Sequence, residues 1–152
     1  MTVHERPVGA TVEWYTPPSL FVALGLDFDL DPAAPVRPPT WIPALNWYST
    51  DGQHKPWQGR VWLNPPYGRD LPAFVDRMIE HRDGLMLTAA RTETRWWQRA
   101  AASADAVCFL RDRLHHIRAD GHQARSSFGS TLFAFGPDCV AALRTANLGW
   151  TA

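Results

Sequence analysis

The chain has 152 residues, 45% of them hydrophobic, and a formal net charge of zero, which suits one domain around one core rather than two. It has no run of about 18 apolar residues to span a membrane, and "MTVHERPVGATVEW" lacks the charged-then-apolar order of a signal peptide, so a cytoplasmic protein is expected. The two cysteines, Cys108 and Cys139, lie in apolar stretches without Cys-x-x-Cys spacing, which favours reduced, buried thiols over a disulfide or a zinc site.

In chain order, "EWYTPPSLFVALGL" reads as a capped helix. Thr16 is the N-cap, Pro17 the first helical residue, Leu20, Phe21 and Leu24 the buried face, and Gly25 the stop. "FDLDPAAP" reads as a short strand ending at Asp31-Pro32. Residues 35–59 are rich in proline, tryptophan and turn formers and read as an irregular connection. "GRVWLNPPY" is strand then turn. "DLPAFVDRMIEHR" is the clearest helix, with Leu71, Phe74, Val75, Met78 and Ile79 at i, i+3, i+4, i+7 and i+8. "GLMLTAA" reads as a buried strand and "ETRWWQRAAASA" as a helix. "AVCFLRDRLHHI" and "STLFAFG" read as two more strands joined by a polar loop, and "DCVAALRTA" as a closing helix.

This alternation predicts an α/β protein with a mostly parallel sheet, helices on both faces, and the last two strands as an antiparallel hairpin at its edge. Ligands in such sheets bind beyond the carboxyl ends of the strands. "DPAAP", "NPPYG" and "TAARTETR" all follow predicted strands, so they should meet on one edge.

The charge is uneven. Residues 1–59 hold three basic and six acidic side chains, a net −3, and residues 60–152 hold twelve and nine, a net +3. The positive C-terminal part fits contact with a polyanion. Lys55 is the only lysine among fifteen basic residues. Arginine forks suit phosphates and base edges, and a GC-rich coding sequence would produce the same bias.

Asn64-Pro65-Pro66-Tyr67 carries the most specific chemistry. Pro65 pushes Asn64 toward an extended backbone at the strand end, and neither proline has an N–H to compete with the neighbouring carbonyls. An amide oxygen and a proline carbonyl then form two fixed acceptors, which match an –NH₂ group with two hydrogens to give. Tyr67 offers a flat ring for a planar base. The amino group of a nucleobase is a poor nucleophile because its lone pair is delocalised. Drawing both hydrogens out of the ring plane would localise that pair toward the methyl of S-adenosylmethionine. A stiff turn with no chemistry is the plain alternative.

These residues resemble the small phage and prophage DNA adenine methyltransferases, and the matches run in order over nearly the whole chain: "EWYTPPSLF", "FDLDPAA", "STDG" before "W-x-G", "VWLNPPYG", "LTAARTETRWW", "FLRDRLHHI" and "STLFAF". The resemblance implies a minimal Rossmann-like methyltransferase fold and one S-adenosylmethionine-dependent domain over residues 1–152 with no separate target-recognition domain. It implies methyl transfer to the exocyclic amino nitrogen of adenine in double-stranded DNA, site-specific, with the base everted onto Asn64, Pro65, Pro66 and Tyr67. By the same resemblance Trp14, Thr16 and Pro17 border the methionine end of the cofactor. Asp31 and Ala33 lie under it, and Asp51 lies near its adenosine. Arg91, Thr92 and Arg95 form a substrate-side loop, with Arg113 a further DNA contact, and evasion of host restriction is the family's expected purpose.

The chain departs from many larger methyltransferases in having no glycine in "DPAAPVRPP", where such a turn lets the backbone approach the cofactor. Sequence choice would fall to loops such as "HHIRADGHQARSS" or to a second subunit. Two rival readings stand beside this one: an amino-group methyltransferase acting on RNA or protein glutamine, and a nucleic-acid-binding relic without catalysis. No metal is expected. Asp27, Asp29 and Asp31 read as strand alternation plus one functional carboxylate, and the adjacent His115 and His116 would point to opposite sides of a strand.

Overall fold

The apolar runs "VWL", "GLMLTA" and "STLFAF" are buried along their whole length, and they form the middle of the sheet around which the other elements are laid. A computed structural model describes residues 14–152; the stretch read for a signal peptide lies, but for Trp14, outside the described residues. In chain order the elements are β1 (Trp14–Tyr15), α1 (Pro18–Leu24), β2 (Phe28–Asp31), β3 (Ala44–Trp47), a 3₁₀ turn (Gly52–His54), β4 (Val61–Leu63), α2 (Leu71–His81), β5 (Gly84–Ala89), α3 (Arg95–Ser103), β6 (Ala106–Leu110), β7 (His115–Arg118), β8 (Gln123–Arg125), β9 (Ser130–Phe135), α4 (Pro137–Ala146) and β10 (Gly149–Thr151).

Among the described residues, seven strands form one sheet in the order β10-β6-β9-β5-β4-β2-β3. β2 runs parallel to β3 and β4, and β4 to β5, while β9 lies antiparallel between β5 and β6 and β10 antiparallel to β6. Five strands therefore point one way and two the other, so the sheet is mostly parallel. The carboxyl ends of β2, β4, β5 and β6 share one edge.

Alternation along the central strands divides the core in two. Val61, Leu63, Met86, Phe133 and Phe135 pack with Leu71, Phe74, Val75 and Met78 of α2 and Trp97 of α3. Trp62, Leu85, Leu87, Leu132 and Ala134 pack with Leu20, Phe21 and Leu24 of α1 and Cys139 and Leu143 of α4. Each fully buried apolar side chain of this size contributes about 1.5–3 kcal/mol, so the helix positions are set mainly by these stripes. α2 stops where Arg82 turns left-handed at φ 62° and its N–H returns to the Met78 carbonyl. Both cysteines are free and buried, and no helix among the described residues is long and apolar enough to cross a membrane.

Four sequence expectations need correction. The antiparallel pair β6–β9 lies one strand inside the edge, because the short "GWT" of β10 adds itself beyond β6. "AVCFLRDRLHHI" is not one strand: Arg111-Asp112-Arg113 cannot follow Leu110 into an apolar layer, so the chain leaves the sheet there. β7 instead pairs with β1 and β8 in a separate three-stranded sheet. The N-cap of α1 is Pro17, not Thr16. Residues 35–59 are not wholly irregular, since they contain β3 and the 3₁₀ turn; Leu45 and Trp47 stay exposed, so β3 is held by backbone pairing to β2 rather than by an apolar stripe.

That connection is pinned beside the end of β2. The Tyr48 N–H donates to the Asp31 carbonyl and the Ala34 N–H to the Tyr48 carbonyl, both at 2.9 Å, and Trp57 Nε1 donates to the Gly52 carbonyl at 2.8 Å. Gly52 lies so close to Pro32 that a Cβ would collide with the Pro32 carbonyl. Gly52→Ala should destabilise the fold by about 1–3 kcal/mol, a fall in Tm of roughly 2–12 °C for a chain of this size, read by thermal unfolding.

Candidate active site

Three loops meet at the carboxyl edge: Pro32–Ala34 after β2, Ser49–Gln53 after β3, and Asn64–Asp70 after β4. Between them lies a cavity of about 390 Å³ lined by Pro32, Ala33, Ala34, Ser49, Thr50, Asp51, Gly52, Gln53, Asn64, Pro66, Asp70 and Phe74. A larger concavity of about 840 Å³ runs along the outer side of β3, past Asn46, Trp47 and Tyr48. Asn64 and the residues after it do not line it, so the smaller cavity is the one with chemistry at its wall.

Asn64 is half-buried, and its Nδ2 donates to Thr16 Oγ1 at 3.4 Å. Thr16 is itself buried and is held from behind by Trp41, whose Nε1 donates to the Thr16 carbonyl at 2.8 Å. With Nδ2 engaged by Thr16, Oδ1 is the amide atom left to accept. Pro65 is buried and Pro66 exposed. Tyr67 is 60% exposed and meets Phe128 edge-on, ring centroids 5.6 Å apart at 79°.

Asp31 is 4% exposed. Its Oδ1 accepts from the Ala33 N–H at 3.2 Å, and no lysine, arginine or histidine among the described residues lies opposite it as an ion pair. Burial pushes its carboxyl from 3.8 up to about 7, with the Ala33 N–H pulling weakly the other way. Asp51, at the cavity wall, takes a left-handed backbone at φ 51°, a strained conformation for a residue other than glycine.

The remaining predicted residues are more scattered. Pro17 and Arg113 line a separate cavity of about 680 Å³ with Leu110, Leu114 and Ile117. Trp14 lines neither cavity; it is 41% exposed, against His122 and under the Arg118 guanidinium. Arg91 Nε is paired with Glu93 at 2.9 Å, and the Thr92 carbonyl accepts from Gln98 Nε2 at 2.6 Å. Thr94 caps α3 by accepting from the Trp97 N–H at 3.3 Å, which leaves Arg95 exposed on the first turn. Trp97 is buried, its Nε1 donating to Thr131 Oγ1; Trp57 is buried and Trp47 half exposed. The described residues contain no cluster of histidine, cysteine and acidic side chains able to hold a metal.

Sequence reasoning missed Phe128, Trp41, and the wall residues Ser49, Thr50 and Gln53. Trp41 and Phe128 carry no motif, and their roles come from contacts 25 residues from Thr16 and 61 residues from Tyr67. Ser49 and Thr50 were within the matched "STDG" and could have been taken with Asp51.

Asp31 leaves a signature in stability. In the unfolded chain its carboxyl ionises near 3.8 and in the fold near 7, so between those values the fold holds a proton that the unfolded chain has lost. That contribution is whole below about pH 4 and is lost as pH rises toward 7, on the order of 4 kcal/mol in all. Thermal unfolding from about pH 5 to about pH 8 should show Asp31→Asn gaining steadily on the wild type; parallel curves would contradict the burial argument.

The family described as DNA N-6-adenine-methyltransferase (Dam) matches residues 5–136. No curated protein and no solved structure gives a significant match. The matched span includes β4, the Asn64–Tyr67 turn, the cavity walls and the Arg91–Arg95 loop. The chain belongs to the DNA N-6-adenine-methyltransferase (Dam) family.

Proposed function

We propose that this chain is a site-specific adenine methyltransferase of minimal size. It moves a methyl group from S-adenosylmethionine to the exocyclic amino nitrogen of adenine in double-stranded DNA. The observation that carries the reading is the shared cavity wall: Asn64 and Pro66 of the amino-group clamp face the same space as Ala33 and Asp51. The two-sided core supports a Rossmann-like arrangement with helices on both faces, acting as one domain over the chain.

The cavity fits the cofactor on two grounds. Its volume falls in the range of small-molecule sites, about 300–1,000 Å³. S-adenosylmethionine carries a net positive charge from its sulfonium and ammonium groups, and Asp31 is a buried carboxyl beside the cavity wall with no cationic partner among the described residues. Asp31, Ala33 and Asp51 would hold the cofactor, with Thr16 and Pro17 toward its methionine end. When bound, it supplies a methyl group activated on sulfur, and the amino nitrogen that receives it sheds a proton without needing a strong base.

The chain's own residues prepare the acceptor. Thr16 takes one amide hydrogen of Asn64 and so turns Oδ1 toward the substrate. Asn64 Oδ1 and a proline carbonyl of the motif accept the two amino hydrogens of adenine and localise its lone pair. The base must leave the duplex to reach them, and Tyr67, steadied by Phe128, receives its face. The Arg91–Thr92 loop, Arg95 and Arg113 face the DNA, and Trp14 contributes from the flank.

The test is mass spectrometry of nucleosides from unmethylated DNA incubated with the protein and S-adenosylmethionine. The wild type should yield N6-methyl-2′-deoxyadenosine, and Asn64→Ala should lower the rate by ~100-fold or more with the thermal transition unchanged. A variant that methylates at the wild-type rate sinks the clamp; a folded wild type that methylates no DNA sinks the reaction.

A further inference from the structure

The arginines divide by position in the fold. Three at the amino edge of the sheet or on helix flanks are tied to acids on other elements: Arg60 to Asp138 at 2.9 Å, Arg82 to Asp105 at 2.8 Å and Arg99 to Asp76 at 2.9 Å. At the carboxyl edge the pattern reverses. Arg69 follows β4, Arg95 opens α3 after β5, Arg125 ends β8 on the approach to β9, and Arg113 follows β6. All four are exposed, and none has an acidic partner among the described residues.

Two backbone bonds tie three of these loops together, and the Tyr67 ring against Phe128 brings in the loop that carries Arg69. The Ser126 N–H donates to the Leu114 carbonyl at 2.7 Å, and the Ala90 N–H to the Gly129 carbonyl at 2.9 Å. Arg95 also stands where a cation is disfavoured, on the first turn of a helix with no acid there to offset the positive end of its dipole. Unneutralised charge retained at that position fits an external anion. β4, β5, β9 and β6 are consecutive neighbours, so at about 4.8 Å per strand the four loops span about 14 Å. That is the axial length of about four phosphates on one strand of duplex DNA.

We infer that Arg69, Arg95, Arg125 and Arg113 form a phosphate track that lays the DNA backbone across the strand ends, from the Asn64–Tyr67 turn toward β6. The inference rests on the DNA methyltransferase reading and adds to it the direction of the DNA and two residues, Arg69 and Arg125. It also separates Arg91, whose charge is already met by Glu93, from the arginines that carry binding. Arg37, Arg111 and Arg144 likewise lack an acid among the described residues: the first lies between β2 and β3, the second follows β6 but donates to the Asn147 carbonyl at 3.4 Å, and the third lies near the end of α4. Arg144 therefore serves as the control for net charge alone.

The experiment measures affinity for duplex DNA across salt concentrations for the wild type, Arg69→Ala, Arg125→Ala, their lysine counterparts, and Arg144→Ala. Each track arginine removed should flatten the slope of log affinity against log salt by about 0.9, so that binding near 0.1 M salt weakens by roughly eightfold while binding near 1 M is unchanged. The lysine variants should keep most of the slope, and Arg144→Ala should match the wild type. Slopes unchanged in Arg69→Ala and Arg125→Ala, from a protein that still methylates DNA, overturn the track and leave the reaction standing. A slope lost equally in Arg144→Ala overturns it too, by assigning the effect to net charge. A wild type that neither binds nor methylates DNA overturns both.

Discussion

Asp31 ends β2 with its side chain buried, one hydrogen bond from the Ala33 N–H, and no cation among the described residues to meet its charge. A carboxyl group in that position is held partly protonated near neutral pH, and the surrounding loops are organised by keeping it there. The Asp31 carbonyl anchors Tyr48, Tyr48 anchors Ala34, and Gly52 presses against Pro32 with its own carbonyl held by Trp57. The result is a walled cavity whose nearest buried charge is unanswered. A cation entering it would find a partner already desolvated, which is where an electrostatic contact is strongest.

The second wall of the same cavity is built differently. Asn64 is held by covalent stiffness, from the two prolines after it, and by Thr16 just before α1, which Trp41 holds in turn. Acceptors fixed in this way need no reorganisation when a substrate arrives. The floor is the sheet itself: β4 is buried on both faces, so the turn that follows it cannot drift without opening the core. Rigidity on the Asn64 side and a buried carboxyl on the Asp31 side give one small cavity two differently built walls.

Much of this was legible in the sequence where periodicity or a motif spoke directly. α2 follows from Leu71, Phe74, Val75 and Met78, β5 and β9 from their unbroken apolar runs, and the meeting of Ala33 with Asn64 and Pro66 from two turns that each follow a strand; Asp51 came only from the family resemblance, and the turn after β5 does not line the cavity. What stayed hidden has no local signal. β3 and β10 are edge strands whose pairing is made by backbone atoms of a neighbour, so "ALNW" and "GWT" lack the apolar pattern of a buried strand. The small sheet β1-β7-β8 depends on Arg111–Arg113 turning the chain out of the main sheet. Thr16 resembled a helix cap because it precedes two prolines, but Pro17 is the cap, without any side-chain bond, Pro18 begins the helix, and the Thr16 hydroxyl is left for Asn64. Phe128 became visible only once Tyr67 was placed.

The claim on which the account turns is that Asp31 waits for a positively charged cofactor. Calorimetric titration of S-adenosylmethionine at about pH 7, in two buffers of different ionisation enthalpy, tests it directly. Binding of a cation should favour the ionised carboxylate and release a fraction of a proton per site, so the observed heat should differ between the buffers and the affinity should rise with pH through 7. Asp31→Asn should abolish the proton release. Binding whose heat is the same in both buffers, or no binding at all by the folded wild type, would contradict the assignment of this cavity to the cofactor.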